Sequence, residues 1–468
     1  MNKSWYVSGF VSILFAIIIF QMIWLPDAFF FASSKEWIQY IDQLYYVVIL
    51  IPLCWLIGAI WRSRQHLQRS LVITMLRIIV MIGSVTMIMI LTQPLQHLQL
   101  LIIVTAITVA VIVGELVWSK VIDVRSNSQI VSKPFRHYYS SLIGPIVVYC
   151  IILLVLICPT GYNVTYPGMT MNMNTYATIG QQRSDNNGII EGVLVFERPA
   201  FPIDWLYSVI LPGYEMNKRE ANEPSITETY SQVAEMKTDA DKLAAAVAWE
   251  QAGLGEAIIY DGIQVIAIVA NSPADGVIQA GDIVTAINGE TLHDAAALIA
   301  YMSSKVEAGD NVQVELLREG QQVKSTVSTV ASTDGDNRAV LGVSIQNAYR
   351  TQMEEKLTFK SYLAHAGGPS HGAMLTLAFL DQLTEADLTG GLKIAGTGTI
   401  EPDGTVGMVG GIAQKAYAVS RTTADVFFVP QEGLLEATTG APELNIVPVT
   451  SLHDILSWIS EHQPDTTL

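Results

Sequence analysis

Five long apolar stretches fill the first third of this 468-residue chain and restrict what it can fold into. Each is close to the ~20 residues that an α-helix needs to cross a bilayer, and few charges interrupt them. A buried core helix would explain one such stretch, but five in succession favour a membrane bundle. The sequence therefore predicts about five transmembrane helices within residues 1–158, at positions 5–25, 43–61, 71–93, 98–118 and 140–158.

The loops between these stretches predict how the chain is oriented across the membrane. Basic residues are concentrated in two of the loops, with Arg62, Arg64 and Arg69 in one and Lys120, Arg125, Lys133 and Arg136 in the other. The first loop is acidic instead. Because basic loops tend to remain in the cytoplasm, the amino terminus is predicted to be cytoplasmic and everything after residue 158 extracytoplasmic.

Charge and cysteine content limit the function of the extracytoplasmic part. Residues 1–158 carry a net charge of +5 and the remainder −22, which together give the −17 of the whole chain. Such an acidic exterior argues against nucleic acid or anionic lipid as the main partner. The three cysteines, Cys54, Cys150 and Cys158, lie in or at the end of predicted helices. The exterior therefore has no disulfide, thiolate metal site or catalytic thiol.

Residues 159–252 separate the predicted membrane bundle from a compact region further along the chain. Pro, Gly and Asn are frequent up to residue 225, and short apolar alternations there indicate strands. Ser225–Gln251 has the composition of one long helix, with a serine able to cap its start and alanines near its end. We expect a β segment and a helix that link the membrane bundle to this compact region.

A strand and two turns can be identified after this helix. The run 271–289, NSPADGVIQAGDIVTAING, contains an apolar strand at Ile283–Ile287 that ends in the turn residues Asn288 and Gly289. A helix at Asp294–Val306 and a hairpin around Glu319-Gly320 come next. This order resembles a PDZ domain, and the resemblance covers residues 253–332.

A PDZ-like fold implies a groove between a sheet edge and a helix, where an extended peptide adds as a strand. On this resemblance we expect the carboxylate-binding loop at Gly253, Leu254 and Gly255. The peptide-binding strand is expected to include Ile263 and Val265. The alternative is a rigid spacer that binds no peptide.

A serine at the start of a predicted helix is the first candidate catalytic residue. Ser370 lies in the hexapeptide GGPSHG, residues 367–372, ahead of a helix with apolar residues at i, i+4 and i+7. Gly367, Gly368 and Pro369 shape the entry to this helix. Backbone N–H groups at its start, including that of Ser370, are candidates for an oxyanion hole.

Lys415, 45 positions after the serine, is the candidate base. In the helix predicted over 412–421, Ile412, Ala416 and Val419 form the apolar face, and Lys415 lies on its flank. Partial burial disfavours the ammonium and lowers its pKa from about 10.4 toward the ~7–8 that suits a general base. A serine needs a partner to remove its proton, and a desolvated lysine can serve.

The serine motif, the segment 393–407 and the lysine helix together resemble the proteolytic domain of the Lon peptidase family, over roughly residues 333–440. The resemblance implies an α/β proteolytic domain, predicted here over 333–468, with a Ser370–Lys415 dyad. It also implies that Thr397 supports the dyad by orienting the lysine. His371 and His365 depart from the family pattern, and either tune the pH response of the site or are solvated bystanders.

No P-loop sequence occurs in the chain, so the resemblance does not include the ATPase of Lon. The whole arrangement resembles the membrane-tethered PDZ–Lon-type serine peptidases of Gram-positive bacteria. It implies an ATP-independent, multi-pass endopeptidase of the cell membrane that cleaves secreted or membrane protein segments outside the cytoplasm, in regulated proteolysis or quality control. The expected partners are protein or peptide substrates and the lipid bilayer, with no cofactor, metal or nucleic acid.

Two other functions stay open at this point. The segment Gly368–Gly372 also matches the G-x-S-x-G pattern of α/β-hydrolases, for which Asp425 and His453 would complete a triad. The second alternative is a non-catalytic membrane receptor or scaffold that captures peptides through the PDZ-like groove. The predicted fold is multi-domain: about five transmembrane helices, a β-rich and helical linker, a PDZ-like α+β domain and a Lon-type α/β proteolytic domain.

Overall fold

The structure is a computed structural model that describes residues 4–25, 45–65, 70–92, 98–126, 135–180, 188–219, 226–332, 338–353, 355–360, 368–384 and 387–463. A helix occupies each of the five apolar stretches. These helices are α1 (Ser4–Gln21), α2 (Leu50–Gln65, preceded by the 3₁₀ turn Tyr45–Ile49), α3 (Leu71–Leu91), α4 (Leu98–Ser126) and α5 (Phe135–Ile157).

Three of these helical segments are long and apolar enough to cross a membrane. They are Tyr46–Arg64, Leu71–Leu91 and Leu100–Ser119. The apolar parts of α1 and α5, Trp5–Gln21 and Gly144–Ile157, are shorter. Five crossings of the bilayer therefore stay a prediction.

Buried charged side chains join α2, α3 and α4. Nη2 of Arg62 and Nε of Arg77 each donate a hydrogen bond of 3.0 Å to Oε1 of Glu115. Nη1 of Arg77 also donates to the backbone oxygen of Arg62, at 2.7 Å. Because a buried charge is costly without a partner, these contacts fix how the three helices align.

After α5 the chain forms three successive groups of elements. The first group is β1 (Tyr162–Asn172), α6 (Met173–Tyr176), β2 (Ala177–Ile179), β3 (Ile189–Pro199), α7 (Asp204–Ile210), β4 (Glu215–Lys218) and α8 (Ile226–Gln251). The second is β5 (Ile258–Ile268), β6 (Ile283–Ile287), β7 (Glu290–Thr291), α9 (Ala295–Lys305), β8 (Asn311–Arg318), β9 (Gln321–Ser328), β10 (Val330–Ala331), β11 (Ala339–Val340) and β12 (Val343–Thr351). The third is β13 (Leu357–Phe359), α10 (Gly372–Leu383), β14 (Lys393–Gly396), β15 (Thr399–Ile400), β16 (Val406–Gly407), α11 (Ile412–Ser420), β17 (Val426–Pro430), α12 (Leu434–Gly440), β18 (Ile446–Val449) and α13 (Leu452–His462).

The first and third groups share one six-stranded sheet, in the order β18-β17-β14-β3-β1-β4. β3, β14, β17 and β18 are parallel, and β1 pairs antiparallel with β3 and β4. Helices α8, α10 and α13 pack on one face, where Phe428 of β17 is buried. Helices α11 and α12 pack on the other face with Phe427. The result is a three-layer α/β domain.

The second group forms its own sheet, in the order β12-β5-β6-β8-β9, with β7 paired to β6. Leu298 and Met302 of α9 pack into its apolar core. The predicted turn at Asn288 has positive φ, as does that at Glu319, so both hairpins are where the sequence predicts them. The side chain of Asp294 accepts from the N–H of Ala297 and caps α9.

The predicted domain boundaries differ from the structure in two respects. The PDZ-like sheet continues past residue 332, because β12 is its terminal strand. Residues 159–252 are not a separate linker, since β1 and β3 lie in the same sheet as β14 and α8 packs against α10. The PDZ-like unit is therefore inserted into the α/β domain. Ile189 and Lys393 are register partners in this sheet but lie far apart in the chain, so local pattern does not reveal the insertion.

Candidate active site

Ser370 lies in a 3₁₀ turn, Pro369–His371, that leads directly into α10. Gly368 is the capping residue before the turn, and Pro369 is its first residue. A Cβ atom on Gly372 would lie 3.0 Å from the backbone nitrogen of Ile400, so glycine allows the helix start to approach β15 closely. Ser370 is partly exposed to solvent. Gly367, predicted to support the site, lies outside the described residues.

Lys415 lies in the first turn of α11. The helix is preceded by Gly411, whose φ of 68° is in the left-handed region that glycine adopts without strain. The backbone N–H of Lys415 donates to the carbonyl of Gly411 at 3.0 Å. Lys415 is only 2% exposed, so it is buried more deeply than a position on the helix flank predicts. The reason is that α11 packs against β1 and β3 on one side and α12 on another.

Thr397 connects the lysine to the serine. It follows the carboxyl end of β14 and is buried. Nζ of Lys415 donates to Oγ1 of Thr397 at 3.0 Å, and Oγ1 donates in turn to the backbone oxygen of Ser370 at 3.0 Å. The N–H of Gly398 donates to the same oxygen of Ser370 at 2.9 Å. Three residues singled out in the sequence therefore meet in one site.

The candidate nucleophile and the candidate base are not directly hydrogen-bonded to each other. Among the described residues, no hydrogen bond joins Oγ of Ser370 directly to Nζ of Lys415. Catalytic hydrogen bonds of unliganded enzymes are often long and tighten when substrate binds. The amine of Lys415 is thus connected to the Ser370 backbone through Thr397. Direct contact with the Ser370 hydroxyl requires the serine side chain to move toward the amine.

Burial lowers the pKa of the Lys415 amine to about 7, against a weaker opposing effect of the Glu436 carboxylate. The ammonium loses its hydration inside the protein, and this disfavours the charged form. Near neutral pH a substantial fraction of the amine is then uncharged and has a free lone pair. Such an amine can accept a proton from a hydroxyl.

His371 is not a solvated bystander, one of the two interpretations that its sequence position allows. It is 2% exposed, and its Nε2 lies 2.8 Å from Oδ1 of Asp241 in α8. Oδ2 of Asp241 accepts from Nζ of Lys237 at 2.7 Å and from the hydroxyl of Tyr176 at 3.3 Å. His365, the other histidine singled out, lies outside the described residues.

Asp241 is a residue near the site that sequence reasoning misses. Burial raises the pKa of its carboxyl, but the hydrogen bonds and charges of His371 and Lys237 outweigh burial and hold the pKa below its ordinary value. A signal is present in the segment DADKLAAA, where Asp241 interrupts the apolar face of α8. Its partner His371 is not identifiable from that segment, because the contact spans 130 positions.

In the described part of the chain, neither residue of the alternative triad is hydrogen-bonded to Ser370. The carboxylate of Asp425 accepts from the backbone N–H of Lys393, at the amino end of β14. Thr397, which contacts Ser370, follows the opposite end of the same strand. His453 is exposed on α13. The position of Asp425 at the far end of β14 therefore does not support the triad.

The residues predicted to bind peptide in the PDZ-like unit are not at a sheet edge. Ile263 and Val265 are both 0% exposed in β5, which lies between β12 and β6. Gly253 has φ of 72°, and the N–H of Leu254 donates to the carbonyl of Trp249, so the Gly-Leu-Gly segment ends helix α8. These predictions are wrong, because a glycine-rich helix stop and a carboxylate-binding loop have similar sequences.

β12 is one of the two terminal strands of this sheet, with β9 at the other end, and α9 lies beside β12. The N–H of Ala295 at the start of α9 donates to Oδ1 of Asn347 in β12 at 2.6 Å. Gly342, with φ of 79°, forms the turn that enters the strand. An extended peptide can add to such a terminal strand beside a helix. The candidate peptide groove therefore lies between β12 and α9.

Comparison with known protein families identifies a PDZ domain over residues 235–329. Among solved structures, the PDZ domain of an SdrC-like protein from Listeria monocytogenes is 27% identical, with 18% of this chain and 88% of that chain covered and a TM-score of 0.18. The PDZ domain of the SdrC-like protein from Listeria innocua is 26% identical, with coverages of 18% and 93% and a TM-score of 0.17.

Part of the chain is similar in sequence to the Lon protease of Aster yellows witches'-broom phytoplasma (strain AYWB). The chain is 28% identical to it over 148 residues, which are 30% of this chain and 18% of that protein. The chain thus spans less than a fifth of this relative's length. Taken together, this is a multi-domain chain with apolar amino-terminal helices that contains a PDZ domain and is similar, over part of its length, to a Lon protease.

Proposed function

We propose that this chain is an ATP-independent, membrane-anchored serine endopeptidase in which Ser370 is the nucleophile and Lys415 the general base. The observation that carries the proposal is the hydrogen-bonded path from the buried Lys415 amine through Thr397 to the backbone of Ser370. A lysine with a pKa of about 7 beside a serine at a helix start can act as the base that removes the serine's proton.

The reaction follows from these groups. The neutral amine of Lys415 takes the proton of the Ser370 hydroxyl as its oxygen attacks the scissile carbonyl. The backbone N–H of Ser370, in the turn that leads into α10, helps to stabilise the oxyanion. Lys415 then gives its proton to the departing amine, and the acyl-enzyme forms. The same lysine then takes a proton from a water molecule as that water attacks the acyl-enzyme, and it returns the proton to Oγ of Ser370 as the ester bond breaks and the acyl group leaves as a carboxylate product.

The PDZ domain supplies substrate capture in this proposal. An extended segment of a substrate pairs with β12 beside α9, because this strand is at the end of its sheet. The sequence has no ATPase motif to unfold substrates. Flexible segments, exposed termini and unfolded chains are therefore the substrate class, within secreted or membrane proteins on the extracytoplasmic side.

Membrane anchoring is part of the proposal. Three helices are long and apolar enough to cross a bilayer, and the basic loops favour a cytoplasmic amino terminus. In this topology α1 and α5 are the two further crossings. The PDZ and α/β domains then lie outside the cytoplasm, as the multi-pass arrangement predicted from the sequence requires.

The purified full chain in nanodiscs, incubated with an unfolded protein such as reduced casein, tests this function by mass spectrometry of the products. We expect cleavage by the wild type, and none by Ser370→Ala or Lys415→Ala. His453→Ala is the matched control and is expected to stay active, because this histidine is exposed. Cleavage by Ser370→Ala would overturn the proposal.

Two further outcomes identify the alternatives. Loss of activity in His453→Ala together with an active Lys415→Ala would support a hydrolase triad. Peptide binding without cleavage by any variant, across substrates, would support a receptor or scaffold.

A further inference from the structure

A short helix at one end of the α/β domain presents large apolar side chains to the outside. Helix α7 spans Asp204–Ile210. Four of its side chains, spaced along one face, are exposed: Trp205 by 44%, Leu206 by 54%, Val209 by 82% and Ile210 by 61%. Contact of such a surface with water is unfavourable, so an apolar face of this kind indicates a partner.

Hydrogen bonds connect the inner side of α7 to the ends of α1 and α5. The hydroxyl of Tyr207 donates to Oε1 of Gln21, the last residue of α1, at 3.2 Å. Nε2 of Gln21 donates to the carbonyl of Leu156 in the last turn of α5 at 2.7 Å. The N–H of Ile203, just before α7, donates to the carbonyl of Val155 at 3.1 Å. Helix α7 therefore lies level with the last turns of α1 and α5.

Charge is absent from the outer face. Residues 199–214 contain a single ionisable acid or base of the Asp, Glu, Lys and Arg type, Asp204. Asp204 is buried, and its two oxygens accept from the guanidinium of Arg198 at 2.7 and 2.8 Å. Its Oδ2 also accepts from the N–H of Phe201 at 2.6 Å. These bonds fix the start of α7, so its apolar face is held outward and has no charge to desolvate.

The neighbouring surface of α5 has the same character. Leu154 and Ile157, in the last turns of α5, are also exposed apolar residues. The ring of Trp205 meets that of Tyr162 edge to face, with centroids 5.4 Å apart. Tryptophan and tyrosine are enriched at the boundary between bilayer and water.

We propose that the outer face of α7 inserts into the lipid bilayer as an interfacial helix beside the ends of α1 and α5. The proposal rests on the membrane anchoring in the proposed function and adds an attachment point that the predicted spans do not supply. Interfacial helices bury their apolar face about 5–10 Å into the boundary between headgroups and acyl chains.

The attachment has a consequence for the candidate active site. Arg421, which follows α11, donates to the backbone oxygens of Trp24 and Leu25, just beyond α1. The α/β domain, which carries Lys415, is therefore attached to the apolar amino-terminal helices at two places. One is the end of α11 and the other is α7. A site held at a fixed height above the bilayer reaches substrate segments that are close to the membrane.

Spin labelling of the full chain in nanodiscs tests the insertion. The labels are introduced in a Ser370→Ala background in which Cys54, Cys150 and Cys158 are replaced by serine. Val209→Cys carries the test label. We expect this label to collide more with oxygen than with a water-soluble nickel chelate, at a depth of about 5–10 Å. A label at Ile210→Cys is expected to repeat the pattern and guards against a local effect of one substitution.

Leu435→Cys in α12 is the matched control. Leu435 is 80% exposed, close to the 82% of Val209. Helix α12 lies by the amino end of α11, because Oε1 of Glu436 accepts from the N–H of Ala413. This is the end of α11 away from Trp24. We expect the label at 435 to collide more with the nickel chelate than with oxygen.

Aqueous accessibility at 209 and 210 equal to that at 435 would overturn the proposal. Strong dipolar coupling between labels at 209 of two chains, with low access to both reagents, would assign the face to a second copy and also overturn it. The measurement needs no peptidase activity. Its failure is therefore distinguishable from failure of the proposed function, which the Ser370 and Lys415 variants decide.

Discussion

Nε2 of His371 lies 2.8 Å from Oδ1 of Asp241, which links the residue after Ser370 to helix α8. The end of α8 is in turn bound to the first strand of the PDZ unit, since Oε1 of Glu250 accepts from the N–H groups of Ala257 and Ile258 at 2.8 Å each. One helix therefore contacts both the serine turn and the start of the PDZ sheet.

We predict that Asp241→Ala destabilises the α/β domain by about 3–5 kcal/mol, because it removes a buried carboxylate that both His371 and Lys237 contact. Thermal or denaturant unfolding of the detergent-solubilised chain measures the effect. Asp239→Ala is the control on the same helix, and it is expected to change stability by less than about 0.5 kcal/mol because its side chain is exposed. Equal effects of the two substitutions would contradict a structural role of the Asp241–His371 contact.

We predict that Thr397→Val lowers kcat by about 100-fold, because the amine of Lys415 loses its hydrogen-bond acceptor and its orientation toward Ser370. Valine has nearly the same shape, so the fold should persist and KM should change little. Thr397→Ser keeps the hydroxyl and is expected to retain most of the activity. The steady-state constants of both variants check this, and an inactive Thr397→Ser would point to packing rather than to the hydroxyl.

We predict that Lys415→Met raises stability at pH 7 while it abolishes cleavage. Between a pH of about 10.4 and about 7, the unfolded chain binds a proton at this lysine that the folded chain does not bind. Wild-type stability therefore falls as pH falls through this window and levels off below it. The Met variant has no titrating amine at this position, so the free energy of unfolding should depend less on pH in this window.

Melting temperatures measured across this pH range check the Lys415 prediction. Lys393→Met is the control, because Lys393 is exposed and its substitution should leave the slope unchanged. A Lys415→Met variant that keeps the wild-type slope would show that this amine stays charged inside the protein.

We predict that Ile299→Asp weakens capture of protein substrates and raises KM, with kcat for short peptides unchanged. Ile299 is exposed and lies one turn after Ala295, whose N–H donates to Asn347 of β12, and we expect its side chain to line the candidate groove. Ile266→Asp is the matched control, because Ile266 is similarly exposed but lies on β5, inside the sheet. The same loss in both variants would argue against a groove at β12.

The sequence is sufficient for those parts of the site that depend on local pattern. Ser370 at a helix start, Lys415 near an apolar helix face and the turns at Asn288 and Glu319 each depend on residues within a few positions. Such features are set by turn chemistry and helical periodicity, which a short segment carries by itself.

Contacts between distant segments cannot be predicted in this way. Local pattern does not specify which strand pairs with β14, so it reveals neither the insertion of the PDZ unit nor the Asp241–His371 contact. The depth at which Lys415 is buried depends on α12 packing over α11, which is also a tertiary effect. Sequence pattern places the groove at β5 because β12, the terminal strand beside α9, comes more than 50 residues after the start of the motif at 271–289.

In the proposed function, the uncharged amine of Lys415 activates Ser370. The most direct measurement is the rate at which a serine-directed acylating or phosphonylating reagent modifies Ser370, followed by mass spectrometry across a pH series. We predict that the wild-type rate rises with pH through a midpoint of about 7, and that Lys415→Met is modified far more slowly with no such midpoint. A wild-type rate without this midpoint, or equal modification of the Met variant, would contradict it.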